Sequence, residues 1–192
     1  MDLIRTIGHS TQSIEEFVAI LQAHAIKQLV DIRTIPRSRT NPQFNREVLP
    51  LSLSVAGIQY QHMPGLGGLR KPRPGSINAG WRNASFRGYA DYMQTPEFDQ
   101  SLEDLIAAAR TQPTAIMCAE AVHWRCHRSL VADALVVRGV EVEHIQNAGA
   151  AKPHSITSSA RVAGHTVTPV KSFDQVTERG VVGSCEKVTE CA

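Results

Sequence analysis

Five short apolar runs, separated by segments with helical periodicity, constrain the fold of this chain more than any other feature. The runs lie at residues 3–8, 26–33, 58–62, 113–118 and 140–145, and each has the length of a strand. Strands that alternate with helices are typical of parallel sheets joined by right-handed crossovers. The sequence therefore predicts an α/β fold: a single doubly wound domain with a mainly parallel sheet of about five strands.

Signals at helix ends support this alternation. Ser13 and Glu16 have the spacing of a capping box, and Thr95-Pro96 gives a cap followed by a proline at the first helical position. Residues 45–56 are predicted to form a helix that is broken or kinked around Pro50. These helices would connect successive strands of the sheet.

The chain has 192 residues, which suffice for one domain with a proper core and leave too little for a second. We assign residues 1–170 to the α/β domain, within which residues 153–168 predict a C-terminal arm or a short hairpin around Gly164. Residues 171–192 are polar, lack an apolar face and are predicted to form a flexible tail.

Charge and cysteine content narrow the classes of function. The net charge is +2, so no general attraction to nucleic acid or to membranes follows. The sequence has no apolar run long enough to span a membrane, and its first residues lack the apolar region of a signal peptide. Its four cysteines do not have the pattern of a secreted disulfide framework. We expect a cytoplasmic protein that does not enter a membrane. Cys185 and Cys191 carry no recognisable ligand spacing.

The segment 116–128 concentrates the reactive groups, with two thiols, two imidazoles, a carboxylate and two guanidinium groups. Cys118 would end a strand, and Cys126, His127 and Arg128 would lie near the start of the next helix. Ligands bind where the carboxyl ends of parallel strands meet helix N-termini. Such a place also stabilises a thiolate. The alternative for Cys118 is an inert core residue, because free cysteines are often buried.

Other strand ends contribute further candidates. His9 and Ser10 follow the first strand, and Arg33 ends the second, two residues after Asp31, where it would hold either an anionic ligand or an ion pair with that carboxylate. Gly67 and Gly68 lie in an irregular loop, where backbone N–H groups could approach an anion. The competing interpretation of this loop is a mobile surface flap.

The motifs resemble those of the bacterial and archaeal domain-of-unknown-function family numbered 488. The resemblance covers about residues 3–168 and rests on Thr6-Ile7-Gly8-His9-Ser10, Asp31-Ile32-Arg33 with Pro36 and Ser38, Leu66-Gly67-Gly68, Phe86 with Tyr89-Ala90, Cys118-Ala119-Glu120, Cys126-His127-Arg128 and the segment from His154 to Arg161. It implies an α/β fold with a site at the Cys-x-Glu and Cys-His-Arg segments, and it implies no established reaction.

A second resemblance concerns layout only. An Asp-x-Arg motif after an early strand, followed by strand, cysteine, loop and helix, is similar to rhodanese sulfurtransferases, in which a cysteine carries a persulfide. Six residues separate Cys118 from Arg125 here, whereas the compact rhodanese loop places its arginine a few residues after the cysteine. The similarity of arrangement does not establish the reaction.

The leading hypothesis is a small cysteine-dependent enzyme, of unassigned reaction, that acts on an anionic or nucleotide-like substrate. Cys118 would be the nucleophile or redox thiol, Cys126 the resolving thiol, and Glu120 or His127 the proton carrier. Arg33 and Arg128 would clamp the anion. The other predicted substrate-binding residues are His9, Ser10, Gly67 and Gly68.

Two alternatives stay open. One is a zinc- or iron-binding module that uses Cys118, Cys126 and His127 with His9 or His123, although the Cys-x7-Cys-His spacing departs from common zinc sites. The other is a nucleic-acid-binding module built on the basic loops at residues 33–46 and 70–87. A small-molecule cleft is favoured over nucleic acid because the net charge is low. The sequence specifies no cofactor and no oligomeric state.

Overall fold

The computed structural model describes residues 2–157, 160–163 and 166–169. The helices are α1 (Ile14–Ala23), α2 (Leu49–Val55), α3 (Ala84–Tyr92), α4 (Pro96–Ala109) and α5 (Arg128–Val136). The strands are β1 (Leu3–Gly8), β2 (Gln28–Asp31), β3 (Gln59–His62), β4 (Thr114–Cys118), β5 (Glu141–His144), β6 (Lys152–Pro153), β7 (Ala160–Ala163) and β8 (Thr166–Pro169). Short 3-10 turns lie at Pro42–Phe44, Pro64–Leu66 and His123–Arg125.

The main sheet has the strand order β3-β2-β4-β1-β5-β6. The first five strands in this order are mutually parallel, and β6 pairs antiparallel with β5 at the edge. The predicted α/β domain with its mainly parallel sheet is therefore confirmed. The order places β4 between β2 and β1, so the loop that follows β4 lies at the middle of the carboxyl edge.

The sheet carries a hydrophobic layer on each face. Side chains of α1 and α2 pack on one face, whereas side chains of α3, α4 and α5 pack on the other. The two-residue period of a strand sends alternate residues of β4 to opposite layers. Ile116 and Cys118 join the layer of α3 to α5, and Ala115 and Met117 join the layer of α1 and α2.

Helix starts follow the signals in the sequence, with one difference. Ser13 and Glu16 form the predicted capping box, and Thr95 caps α4 through the backbone N–H of Phe98. The helix predicted over residues 45–56 with a kink at Pro50 is shorter: α2 begins at Leu49, and Pro50 occupies its first turn. The kink is absent because a proline in the first turn removes an N–H that has no intrahelical partner.

The segment predicted to form a C-terminal arm or a short hairpin contains two paired strands. β7 and β8 pair antiparallel, and Val167 of β8 is buried. The flexible tail predicted for residues 171–192 lies outside the described residues. Among the described helices, none combines the length and the apolar character that a transmembrane span requires.

Candidate functional site

Two buried thiols meet at the carboxyl edge of the sheet. Cys118 is the last residue of β4, and Cys126 lies two residues before α5. Their Sγ atoms are 2.9 Å apart, and both cysteines are free. The side chains are nearly covered, with exposed fractions of 2% for Cys118 and 6% for Cys126. The structure thus brings the two predicted thiols into direct contact.

The surroundings of the two sulfurs favour an ionised Cys126. The hydrogen bond from the Cys118 thiol lowers the pKa of Cys126, and so do His127 Nδ1 at 3.4 Å and the backbone N–H of Arg128 at 3.5 Å. The same hydrogen bond, together with burial, raises the pKa of Cys118. A helix N-terminus and a neighbouring imidazole stabilise a thiolate. Ionisation is therefore favoured at Cys126, and the proton shared between the two sulfurs is favoured on Cys118.

Arg128 binds the backbone of the loop that follows β4. Its side chain is only 1% exposed, and Nη2 donates to the carbonyl oxygens of Glu120 at 2.9 Å and Ala121 at 3.4 Å. Nε and Nη1 have no hydrogen-bond partner among the described residues. A buried cation without a carboxylate partner is costly. Arg128 fastens the segment that joins the two cysteines.

A cavity of about 410 Å³ opens in front of the thiols. Six of the predicted site residues line it, namely Arg33, Gly68, Cys118, Glu120, Cys126 and His127, together with Thr34, Ile35, Leu69, Asn83, Ser85, Phe86, Ala119 and Arg125. Such a volume suits a small molecule. Sequence reasoning did not assign Asn83 or Ser85 to the site. The signal available for Asn83 and Ser85 was their place at the start of α3.

Gly68 is packed against the imidazole of His127. A Cβ atom at this position would overlap the ring at Nδ1. On another side the ring contacts Tyr89, with 5.1 Å between ring centroids, and the Tyr89 hydroxyl donates to Leu66 O at 2.8 Å. The absence of a side chain at Gly68 lets His127 reach the sulfur of Cys126. Gly67 donates its N–H to Pro64 O within the preceding turn.

Arg33 is engaged mainly within the protein. Its guanidinium group makes a bidentate salt bridge with Asp31, through Nε at 2.9 Å and Nη2 at 2.6 Å. Nη2 also donates to Phe44 O, and Nη1 lies 3.2 Å from His9 Nε2. Most of the donors of Arg33 are therefore used before a ligand arrives, although the residue reaches the cavity wall.

His9 and Ser10 lie beside a second cavity of about 410 Å³, which shares Arg33 and Glu120 with the first. The His9 ring stacks on Phe44 with 4.2 Å between centroids, and its Nδ1 lies 2.8 Å from Ser10 O. Burial lowers the pKa of His9 to about 4. His9 is therefore neutral near pH 7 and does not face the thiols across the first cavity.

Three histidines form a separate cluster on the far side of the same loop. One ring nitrogen each of His123, His144 and His154 lies within 4.8 Å of the other two. Sequence reasoning named only His123 as a candidate ligand. His144 occupies an alternating strand and His154 follows β6, so their proximity depends on the antiparallel return from β5 to β6. No local pattern in the sequence reveals that return.

Comparison with known proteins identifies one match. The family model described as "Domain of unknown function DUF488" matches residues 13–135, more than half of the chain. The matched span runs from α1 into α5 and contains both cysteines of the site, whereas His144 and His154 lie beyond it. No curated protein and no solved structure matches the chain.

Proposed function

The chain belongs to the DUF488 family, and from this premise we propose that it is a small cysteine-dependent enzyme acting on an anionic or nucleotide-like substrate. The observation that carries the proposal is the contact between two reduced sulfurs, 2.9 Å apart, at the wall of a small-molecule cavity. Core packing alone does not require one thiol to lie against another beside an imidazole and a helix N-terminus. The contact is what a dithiol couple needs.

The reaction that this pair supports best is thiol–disulfide exchange with a small disulfide. The Cys126 thiolate attacks one sulfur of the substrate, the substrate S–S bond breaks, and one thiolate leaves. Cys118 then loses its proton and attacks the sulfur of Cys126, which forms a Cys118–Cys126 disulfide and releases the second thiolate. The substrate gains two electrons from the two cysteines, one proton from Cys118 and one proton from solvent. A dithiol reductant returns the enzyme to its starting state.

This assignment exchanges the roles expected from the sequence. Cys126 becomes the attacking thiolate because its surroundings lower its pKa, and Cys118 becomes the resolving thiol because it keeps the shared proton. His127 lies 3.4 Å from Cys126 and is placed to supply a proton to the leaving group. Glu120, exposed at the cavity wall, is the alternative proton carrier.

Anion recognition is assigned to Arg125. This exposed residue lines the cavity and makes no ion pair with a described residue. A guanidinium group with free donors suits a phosphate or carboxylate. The exposed side chains of Ile35 and Leu69, with Phe86, add an apolar wall. A charged molecule with an apolar or aromatic part, such as a disulfide that carries a nucleotide-like group, would satisfy both surfaces.

The test is alkylation with iodoacetamide and a mass readout, in a background in which Cys185 and Cys191 are changed to serine. We expect Cys126 to react at a lower pH than a thiol in a model peptide, because thiolate is the reactive form. Cys118 should react slowly in the parent and need a higher pH. The Cys118→Ser variant retains the predicted nucleophile and serves as the matched control.

A second measurement tests the redox couple itself. Treatment with a small disulfide should yield an internal disulfide in the parent, seen as the loss of two hydrogens. The Cys118→Ser variant should stop at the mixed disulfide on Cys126. The proposal fails if neither thiol reacts faster than the model peptide near neutral pH, or if the disulfide leaves both cysteines reduced.

The nucleic-acid alternative stays a prediction. One of its basic residues, Arg70, is already engaged: the guanidinium carbon lies 3.5 Å from the Tyr92 ring centroid, and Nε donates to Gly67 O. Affinity for single-stranded DNA that falls steeply with rising salt would favour this alternative.

A further inference from the structure

Three segments that are separate in the sequence bring imidazoles together beside β5. His123 opens the turn His123–Arg125, His144 ends β5, and His154 follows β6. Nε2 of His144 lies 2.9 Å from Nδ1 of His154, and the His123 ring stacks on the His144 ring with 3.5 Å between centroids. One ring nitrogen from each histidine lies within 4.8 Å of the others.

The outer nitrogens of the two buried rings already have partners. His154 Nε2 lies 2.8 Å from the carboxylate of Asp133, and His144 Nδ1 lies 2.7 Å from the hydroxyl oxygen of Thr6. Asp133 is fully buried and accepts two further hydrogen bonds from Thr157. An ionised carboxylate accepts only, so His154 Nε2 carries hydrogen and Nδ1 has its lone pair directed at His144.

We propose that His123, His144 and His154 bind one divalent transition-metal ion of the zinc class, through His144 Nε2, His154 Nδ1 and one ring nitrogen of His123. Metal-bound histidines almost always direct their second nitrogen to a carboxylate or another polar acceptor, which fixes the tautomer. Asp133 and Thr6 occupy those positions here. The site thus has three imidazole ligands and two further residues, Asp133 and Thr6, that orient two of these ligands.

The donor set selects the type of metal. Imidazole nitrogens suit zinc, iron, nickel and copper, whereas magnesium and calcium require oxygen ligands. A tetrahedral ion with three histidines keeps one position for water or another ligand. Binding requires that the His123 ring turn out of its stack on His144 so that one of its nitrogens points to the ion. It also requires that His144 move its hydrogen from Nε2 to Nδ1, where Thr6 can accept it.

The charges around the cluster are opposed. Asp133 contributes a buried carboxylate behind His154, while the guanidinium group of Arg128 is close enough to act electrostatically on His123 and His144. The carboxylate favours a cation and the guanidinium group disfavours one. Asp133, in hydrogen-bond contact with a ligand ring, is the closer support, and its removal should weaken binding.

The site is distinct from the cysteine alternative. No thiol belongs to the ligand set, and His123 is the only member inside the span matched by the family model. A metal held by Cys118, Cys126 and His127 would depend on thiolates. Substitution of those cysteines therefore separates the two sites without any assay of enzyme activity.

The experiment measures binding of Co²⁺ and Zn²⁺ to the metal-free full chain, by titration calorimetry and by the absorption spectrum of Co²⁺. We expect one ion per chain, with no thiolate-to-cobalt charge-transfer band. His123→Ala is the main variant, because the His123 side chain makes no hydrogen bond with a described residue and its loss should leave the fold intact. It should abolish stoichiometric binding, and Asp133→Asn should weaken binding by about 10- to 100-fold.

His62→Ala is the matched control, since His62 ends β3 at the opposite edge of the sheet. It should bind like the parent, as should Cys118→Ser and Cys126→Ser. Far-UV circular dichroism and urea unfolding verify that each variant is folded. The proposal is overturned if the parent binds no stoichiometric metal, if His123→Ala binds like the parent, or if Cys126→Ser loses the ion.

Discussion

At Arg33, mutation can distinguish most clearly between a structural role and a ligand-binding role. Its side chain is 8% exposed, and its partner Asp31 is fully covered. Changing Arg33 to methionine keeps much of the apolar stem and removes both side-chain contacts to the carboxylate. Asp31 would keep the Tyr60 hydroxyl at 2.8 Å and the backbone N–H of residue 33 at 3.1 Å.

The expected loss follows from what remains around the carboxylate. Removing one partner of a buried ion pair costs about 3–5 kcal/mol, because the other charge is left without compensation. Two donors still reach Asp31, so we expect Arg33→Met to fall near the lower limit, about 3 kcal/mol. Combining it with Asp31→Asn removes the orphaned charge, and the double variant should lie within about 1 kcal/mol of the parent.

Urea unfolding at neutral pH measures the free energies of unfolding of the parent, both single variants and the double variant. Titration with a nucleotide-like anion then tests ligand binding in the double variant, whose stability is restored. If Arg33 clamps the ligand, affinity falls although stability recovers; if it only holds the loop, affinity is retained. A loss below about 1 kcal/mol for Arg33→Met would refute the reasoning about the buried charge.

Three further outcomes follow from single contacts. Burial lowers the pKa of His9 from 6.5 to about 4, so the folded chain binds fewer protons than the unfolded chain between these values. The contribution of His9 to stability should fall by about 1.6 kcal/mol as the pH drops from about 6.5 to 5, and His9→Gln should reduce this slope in urea unfolding; equal slopes would contradict it. Gly68→Ala should displace the His127 ring and raise the pH at which Cys126 is alkylated, whereas an unchanged profile would disprove the packing role. Tyr89→Phe should cost about 1 kcal/mol through loss of the hydrogen bond to Leu66 O, measured by thermal unfolding, with no loss arguing against that bond.

Hydrophobic periodicity predicts the five parallel strands, and capping signals predict the main helix starts. Both kinds of signal depend on residues that are neighbours in the sequence, as the capping box of Ser13 and Glu16 illustrates. Pro50 misled the prediction because a proline marks either a kink or a first turn, and the choice depends on where the preceding loop packs. Here the chain before Leu49 forms the 3-10 turn Pro42–Phe44, and Phe44 is buried against His9 and Phe17.

The candidate site could be predicted only in part, because its geometry depends on strand order. Cys118 and Cys126 were identifiable from their position between a strand and a helix. Their contact, and hence which sulfur is ionised, depends on how the intervening loop folds over Arg128. No sequence pattern contains this information.

Strand order also explains why the loop after β4 can serve two sites. With β4 between β2 and β1, the loop emerges at the middle of the carboxyl edge, and the backbone N–H of His9 donates to Cys118 O. One side of the loop presents Cys126 to the cavity, and the other stacks His123 on His144 at the end of β5. Cys126 follows His123 by three residues, and its backbone N–H donates to His123 O at 3.0 Å. This hydrogen bond fixes the turn between the two residues. A metal ion that fixed the His123 ring would therefore restrict the backbone that positions the Cys126 thiolate. The proposed metal site and the proposed dithiol are thus connected through the turn His123–Arg125.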